Sequence, residues 1–187
     1  STNNTMTLLF EKDMAMHLQP VVLENSCIKI VPMKIQHIEE LFQAGNDPDI
    51  WQWTTSPYCL TKQNTIDWVN ACLNNIELGI QQPFVIIDKT KSKIVGSTSY
   101  LNIFFEHKSI EIGFTFLTPS AQRTHINKQC KLLLLTHAFE TLGMNRVALQ
   151  THELNKKSRN AILGIGATFE GTQRNCRIQH DGTIRSS

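Results

Sequence analysis

Ser109-Ile110-Glu111-Ile112-Gly113-Phe114-Thr115-Phe116-Leu117 runs through Thr118-Pro119-Ser120-Ala121 into Gln122-Arg123-Thr124-His125-Ile126-Asn127. The first nine residues place apolar side chains at period two, the pattern of a strand. From Asn127 the pattern changes to helical spacing: Cys130, Leu134 and Ala138 stack beside Leu135, Phe139 and Leu142, and Gly143 is suited to a left-handed cap. A strand, a turn and a helix in this order build an anion site. The first N–H groups of a helix lack intrahelical partners, and the macrodipole is positive there. A second stretch, Asn155-Lys156-Lys157-Ser158-Arg159-Asn160-Ala161-Ile162-Leu163-Gly164-Ile165-Gly166-Ala167, opens another helix with an amide, two lysines and a hydroxyl. Asn155 is placed to take its cap.

On the N-terminal side, Ser26 to Val31 alternates like a strand. Ile35, Ile38, Leu41 and Phe42 predict a helix over 35–44, and Thr61 begins another with Ile66, Val69 and Leu73 on one face. Phe84 to Asp88, Ile94 to Phe105 and Ile110 to Leu117 predict an antiparallel meander, turned at Lys89 to Lys93 and at Glu106 to Lys108. Arg146 to Thr151 is a further strand. After the helix at 156–165, Thr168 to Ile178 and Thr183 onward read as two strands joined across Asp181-Gly182, the second of which the chain barely enters. No repeat, low-complexity tract or linker divides the sequence, so one domain spans 1–187. Residues 1–7 read as a floppy polar end, and the absent initiator Met implies either processing or an engineered start.

A chain of 187 residues with 41% hydrophobic and 18% charged content can bury a full core, which excludes disorder and fibre. The formal net charge of +2 offers no polyanion-binding field, so nucleic acid and membrane surfaces are not expected partners. Five cysteines, Cys27, Cys59, Cys72, Cys130 and Cys176, form neither a disulfide framework nor a CxxC metal pair. They read as reduced thiols of a cytoplasmic protein. The longest purely aliphatic run, Leu132 to Leu135, is far below a membrane span.

The two quoted stretches, together with Asp47-Pro48-Asp49-Ile50-Trp51 and Ile94-Val95-Gly96-Ser97-Thr98, resemble the GNAT N-acetyltransferases, specifically their RimJ/RimL-like branch, from about Pro20 to the end. The resemblance implies an α+β fold (α/β three-layer): a mixed, mostly antiparallel central sheet flanked by helices, with a β-bulged strand and splayed strands 4 and 5. It implies acetyl-CoA as cosubstrate, no metal, and an amine acceptor that is either a protein N-terminus or a small molecule, attacked directly in a ternary complex. Homodimerisation is left open. GNAT proteins usually carry Gln/Arg-x-x-Gly-x-Gly/Ala in the phosphate turn, whereas this chain has His125 and Asn127 at the two glycine positions.

Carried onto these positions, the resemblance assigns coenzyme binding to Phe116, Leu117, Gln122, Arg123, Thr124, His125, Ile126, Asn127, Lys128, Asn155 and Ser158. The Leu117 backbone N–H is the expected oxyanion donor. Lys128, Lys131, Lys156, Lys157 and Arg159 join Arg123 around the two helix starts, either for the coenzyme's negative charges or as a solvated surface. Ser158 matches a serine that protonates the departing thiolate, and its bland alternative is a helix-start residue. Many GNAT enzymes place a tyrosine one turn on, where this chain has Ile162. Glu111 interrupts an apolar strand, either as general base or in a structural pair. His125 sits on the phosphate turn as an anion contact or merely exposed. Trp51, Trp53 and Trp68 fall in the two helices that wall the acceptor site, as substrate platform or as core. A rival of another class is a non-catalytic acyl-CoA-binding or sensing module.

Overall fold

Alternating side chains become a six-stranded sheet whose spatial order follows the chain: β1 (Leu23–Glu24), β2 (Ile28–Pro32), β3 (Gln81–Asp88), β4 (Lys93–Phe104), β5 (Ser109–Leu117) and β6 (Arg146–Leu149). The computed structural model describes residues 17–187, so the polar end expected at 1–7 lies outside the described residues. β1 through β5 pair antiparallel and β6 joins β5 in parallel, giving a mixed, mostly antiparallel sheet. Two helices follow β2: α1 (Ile38–Gly45), entered through a tight turn at Ile35–His37, and α2 (Lys62–Glu77), whose Thr61 cap accepts from Asn64 N at 3.0 Å. α3 (Ile126–Thr136) relaxes into a π turn at His137–Thr141 before Gly143 turns left-handed at φ +68°. α4 is Lys156–Gly164.

Period two sends neighbours to opposite faces, and two cores result. Ile28, Ile30, Phe84, Ile86, Ile110 and Ile112 pack with Cys130 and Leu134 of α3. Val85 and Phe116 pack on the other face with Leu41 of α1, Val69 and Trp68 of α2, and Trp51. Each fully buried large apolar side chain contributes about 1.5–3 kcal/mol, so the three layers are held mainly by these two seams. β3 starts at Gln81, earlier than apolar content predicts. Gln81 is 3% exposed because its amide bonds Ser99 Oγ at 3.0 Å and Asn75 Nδ2 at 2.9 Å.

The expected bulge is in β5. Ser97 pairs Phe116 and Ser99 pairs Gly113, so one extra β5 residue is inserted there, and Phe114 takes φ +48°. The splayed pair is the fifth and sixth strands of this chain, because the two-residue β1 adds a strand at the edge. β5 and β6 pair only from Ser109↔Arg146 to Ile112↔Leu149, and beyond Ile112 no strand among the described residues pairs this edge of β5, which stands open.

The long strand expected at Thr168 to Ile178 is a correction. Only Arg177–Ile178 (β7) pairs, with Ile184–Arg185 (β8), in a hairpin separate from the main sheet. Residues 168–176 carry Phe169 as their one large apolar side chain, and without alternation they have no face to bury. Ala167 to Gln173 instead lies across a cleft of about 280 Å³ from β6. The hairpin turn at Asp181-Gly182 forms as expected, with Asp181 Oδ1 accepting from Thr183 N at 3.0 Å and Gly182 at φ +85°. The C-terminal segment crosses the end of β6, where Ser186 O accepts from Glu153 N at 2.9 Å.

Candidate active site

The open edge of β5 has a defined polarity. Thr118 N donates to Val95 O at 2.7 Å, which makes the neighbouring Gly96↔Leu117 pair a non-hydrogen-bonded one. The N–H and C=O of Leu117 therefore turn away from β4 toward the splay. Such pairs approach closely, and a Cβ built on Gly96 would sit 1.9 Å from Phe116 O, so only glycine fits there. Leu117 and Phe116 themselves are buried, on opposite core faces. Phe114, a bulky residue at positive φ, stores strain of order 1–3 kcal/mol. It is held by Ser97 Oγ donating to its carbonyl at 3.3 Å and by an edge contact with Tyr58 at 5.6 Å.

Past a short turn at Pro119–Ala121, Arg123 takes φ +59° and leads to α3. His125 holds the N-cap position of α3 and makes no side-chain cap, while Thr124 Oγ1 donates to Ala121 O at 2.6 Å and accepts weakly from Ile126 N at 3.3 Å. No side chain among the described residues covers the N–H groups of Asn127 and Lys128. Arg123, Thr124, His125 and Lys128 are exposed around them, Asn127 is half-buried, and Ile126 anchors the turn in the core. These bare donors fit a diphosphate despite the two replaced glycines, because the left-handed position falls on Arg123.

Asn155 caps α4, accepting from Ser158 N at 3.1 Å, and the half-buried Ser158 hydroxyl has no hydrogen-bond partner among the described residues. Gln122 joins the two quoted stretches: its Nε2 donates to Leu117 O at 3.0 Å and its Oε1 accepts from Lys157 Nζ at 3.1 Å. The basic cluster divides. Arg159 turns away, donating to Glu153 O at 3.3 Å and lying over the Phe169 ring at 5.2 Å. Lys131 turns inward, 6% exposed, and donates to Thr115 Oγ1 at 3.0 Å, which in turn meets Thr98 Oγ1 at 2.9 Å. Burial lowers the proton affinity of that amine below the usual lysine range.

On the opposite face, Glu111 is 9% exposed and accepts from Asn102 Nδ2, a structural bond that leaves its second oxygen without a hydrogen-bond partner among the described residues. The tryptophans correct the expectation that all three lie in two helices. Trp51 ends a tight turn at Pro48–Trp51 and Trp53 lies in the following loop; only Trp68 is helical. Trp51 is 3% exposed, its indole N–H donates to Gly45 O at 2.8 Å and its ring packs on Phe116, so it is core. Trp53 is half-buried and meets His152 at 4.8 Å between ring centroids.

His152 is the residue that sequence reasoning missed. It is 7% exposed, its Nδ1 accepts from Leu154 N at 3.1 Å, and burial, aided by the Arg185 charge and opposed by Glu153, holds it below the usual histidine range. It is therefore neutral near pH 7, with its proton on Nε2. Nothing in local periodicity singles it out, because its setting is made by the loop at Trp53 and by β8. All five cysteines are free thiols, and burial pushes Cys59 up to about 12 and Cys72 to about 11. Among the described residues no group of three His, Cys, Asp or Glu side chains is placed to hold a metal ion, and no helix is long and apolar enough to cross a membrane.

Comparison with known proteins gives concordant results. The acetyltransferase (GNAT) domain family matches residues 28–168. An N-acetyltransferase 9-like protein of Nematostella vectensis is 22% identical over 158 residues, covering 79% of this chain and 78% of the relative. The crystal structure of a GCN5-related N-acetyltransferase from Brucella melitensis superposes with a TM-score of 0.82 at 25% identity, covering 90% of this chain and 76% of that one. The microcin C7 self-immunity acetyltransferase MccE, solved with acetyl-CoA and AMP, has the same fold at a TM-score of 0.75 and 20% identity, covering 87% of this chain and 90% of that one.

Proposed function

Since the chain belongs to the acetyltransferase (GNAT) domain family and is on that ground an N-acetyltransferase, we propose that it moves acetyl from acetyl-CoA to a primary amine by direct attack within a ternary complex. The observation that carries the mechanism is the Leu117 N–H turned toward the open β5 edge, one short turn before the bare N-terminus of α3. Acetyl-CoA supplies the activated thioester. Arg123, Lys128 and the first N–H groups of α3 hold its diphosphate, with His125 and Asn127 at the rim. The open edge of Thr115 to Leu117 receives the pantetheine as an added strand.

Glu111, directly or through water, takes a proton from the acceptor ammonium, and the neutral nitrogen forms a bond to the thioester carbon. Leu117 N–H stabilises the negative oxygen, which is a difference between transition state and ground state and therefore accelerates the step. As the carbon–sulfur bond breaks, the Ser158 hydroxyl, unpartnered among the described residues, gives its proton to the thiolate and regains one from the attacking nitrogen, directly or through water, as that nitrogen sheds its surplus proton to become the amide. The resemblance of Asp47 to Trp51 and of Asn155 to Ala167 to the RimJ/RimL-like branch supports protein N-terminal amines beside small-molecule amines as acceptors. The free thiols suit a cytoplasmic enzyme. Incubation with labelled acetyl-CoA and panels of peptides and polyamines, read by mass spectrometry, tests this reading. Acetylated amine supports it, and coenzyme binding with no acetylated product across the panels overturns it.

A further inference from the structure

Across the β7–β8 hairpin, Arg177 and Arg185 are directly paired. Opposed residues of an antiparallel pair project to the same face, and like charges there are destabilising. Neither guanidinium has a carboxylate to offset this: the ion pairs among the described residues are Lys62–Glu39, Lys89–Glu24, His107–Glu106 and Arg146–Glu170. Both arginines are instead bound to neutral oxygens, Arg177 beside the end of β6 and Arg185 on the loop at Trp53 and on Ser187. Arg185 Nη1 donates to Trp53 O at 2.9 Å and its Nε to Ser187 Oγ at 2.7 Å, and Arg177 Nη2 reaches Gln150 Oε1 at 3.4 Å. Arg185 Nη2 makes no hydrogen bond among the described residues. His152 lies against Trp53, the residue that holds Arg185, and offers an Nε2–H donor.

We propose that Arg177, Arg185 and His152 form an oxyanion subsite at the outer end of the acceptor cleft, and that the acceptor is a primary amine carrying a carboxylate or phosphate. Resting on the acetyl-transfer reading, this gives the cleft two ends of opposite sign. Glu111 faces the amine at the level where β5 pairs β6, and the arginines hold the anion beyond the point of divergence. Two guanidinium forks and a neutral imidazole N–H suit an oxyanion and repel a polyamine. The lowered proton affinities of His152 and Arg185, each partly caused by a neighbouring arginine, agree with a concentration of positive charge.

The test uses matched acceptors with the intact protein and acetyl-CoA: amino acids against their amides, phosphoethanolamine against ethanolamine, and spermidine. The expected result is a kcat/KM at least tenfold higher for one or both anionic members, carried mainly by KM. That ratio should fall toward one in Arg185→Gln and Arg177→Gln and be partly kept in Arg185→Lys. The amino-acid and phosphoethanolamine arms separate carboxylate from phosphate. Equal use of anionic and neutral partners, a preference for spermidine, or an unchanged ratio in both Gln variants overturns the subsite. Retention of the acetyl-CoA melting shift in each variant shows that it has folded. If no amine turns over, the acetyl-transfer reading fails separately. Calorimetry of phosphoethanolamine and of glycine with the coenzyme-loaded protein then decides the subsite: binding lost in Arg185→Gln supports it, and absence of binding overturns it.

Discussion

Ser158 and Lys131 show how little a residue's type says about its work. Both are polar residues on helices. The Ser158 hydroxyl is left without a hydrogen-bond partner among the described residues because Asn155 has taken the cap. Ser158→Ala should lower kcat about 100-fold, the low end for a general acid because a thiolate leaves readily, with acetyl-CoA affinity unchanged. Steady-state kinetics at saturating substrates checks this, and unchanged turnover reduces Ser158 to a helix-start residue. Lys131 is a buried amine with one hydroxyl partner, so Lys131→Met should stabilise the protein at neutral pH by about 1–3 kcal/mol. The sign with pH follows from its lowered folded value. Below that value both states hold the proton and the burial penalty is complete. Between it and the unfolded value near ~10.4 the unfolded state binds more protons, so wild-type stability rises with pH and the gap to the Met variant narrows. Urea unfolding of both proteins from pH 7 to 10 measures this, and parallel curves would show that the charge of Lys131 is not what matters.

At the scale of elements, the turn into α3 presents backbone donors that no side chain among the described residues covers, with Arg123 as the charged side chain inside it. Arg123→Ala should weaken coenzyme A about 10- to 100-fold, the size of one charge-assisted hydrogen bond, and leave pantetheine binding unchanged. Titration calorimetry with both ligands checks this, and equal losses would remove phosphate as its partner. Much of this element was legible: the strand, the turn, the helix and the Gly143 cap are written in period and in turn chemistry. Other features were not. Gln81 and Gln82 begin β3 as buried residues because partners on α2 and β4 satisfy Gln81 and Gln82 bonds the Pro83 carbonyl, and periodicity does not register such bonds. Residues 168–176 were misread as strand because their β-forming residues lack the apolar alternation that would seat them on a core.

For the whole molecule, a ligand bound by the folded state alone stabilises it by mass action. Acetyl-CoA at 100 times its dissociation constant should add about 2.7 kcal/mol, a rise of roughly 5–10 °C in Tm for a chain of this size. A thermal melt with and without the coenzyme tests it, and no shift at millimolar acetyl-CoA would count heavily against the assignment. The order of strands and helices outside 168–176 and the strand, turn and helix running into α3 were determined by the sequence alone, because local periodicity, caps and glycines act over a few residues and are read within them; the layered α+β architecture and a bulged strand followed from the family resemblance, and the structure located the bulge in β5. Tertiary structure alone decided that Trp51 is core, that Lys131 points inward, that Gln122 links Leu117 to Lys157, and that Arg177 pairs with Arg185, whose charge reaches His152. Those outcomes depend on contacts between segments as distant as Trp53 and Arg185, and which face a side chain presents to a distant partner is settled only when the sheet twists, splays and is crossed by the C-terminal hairpin.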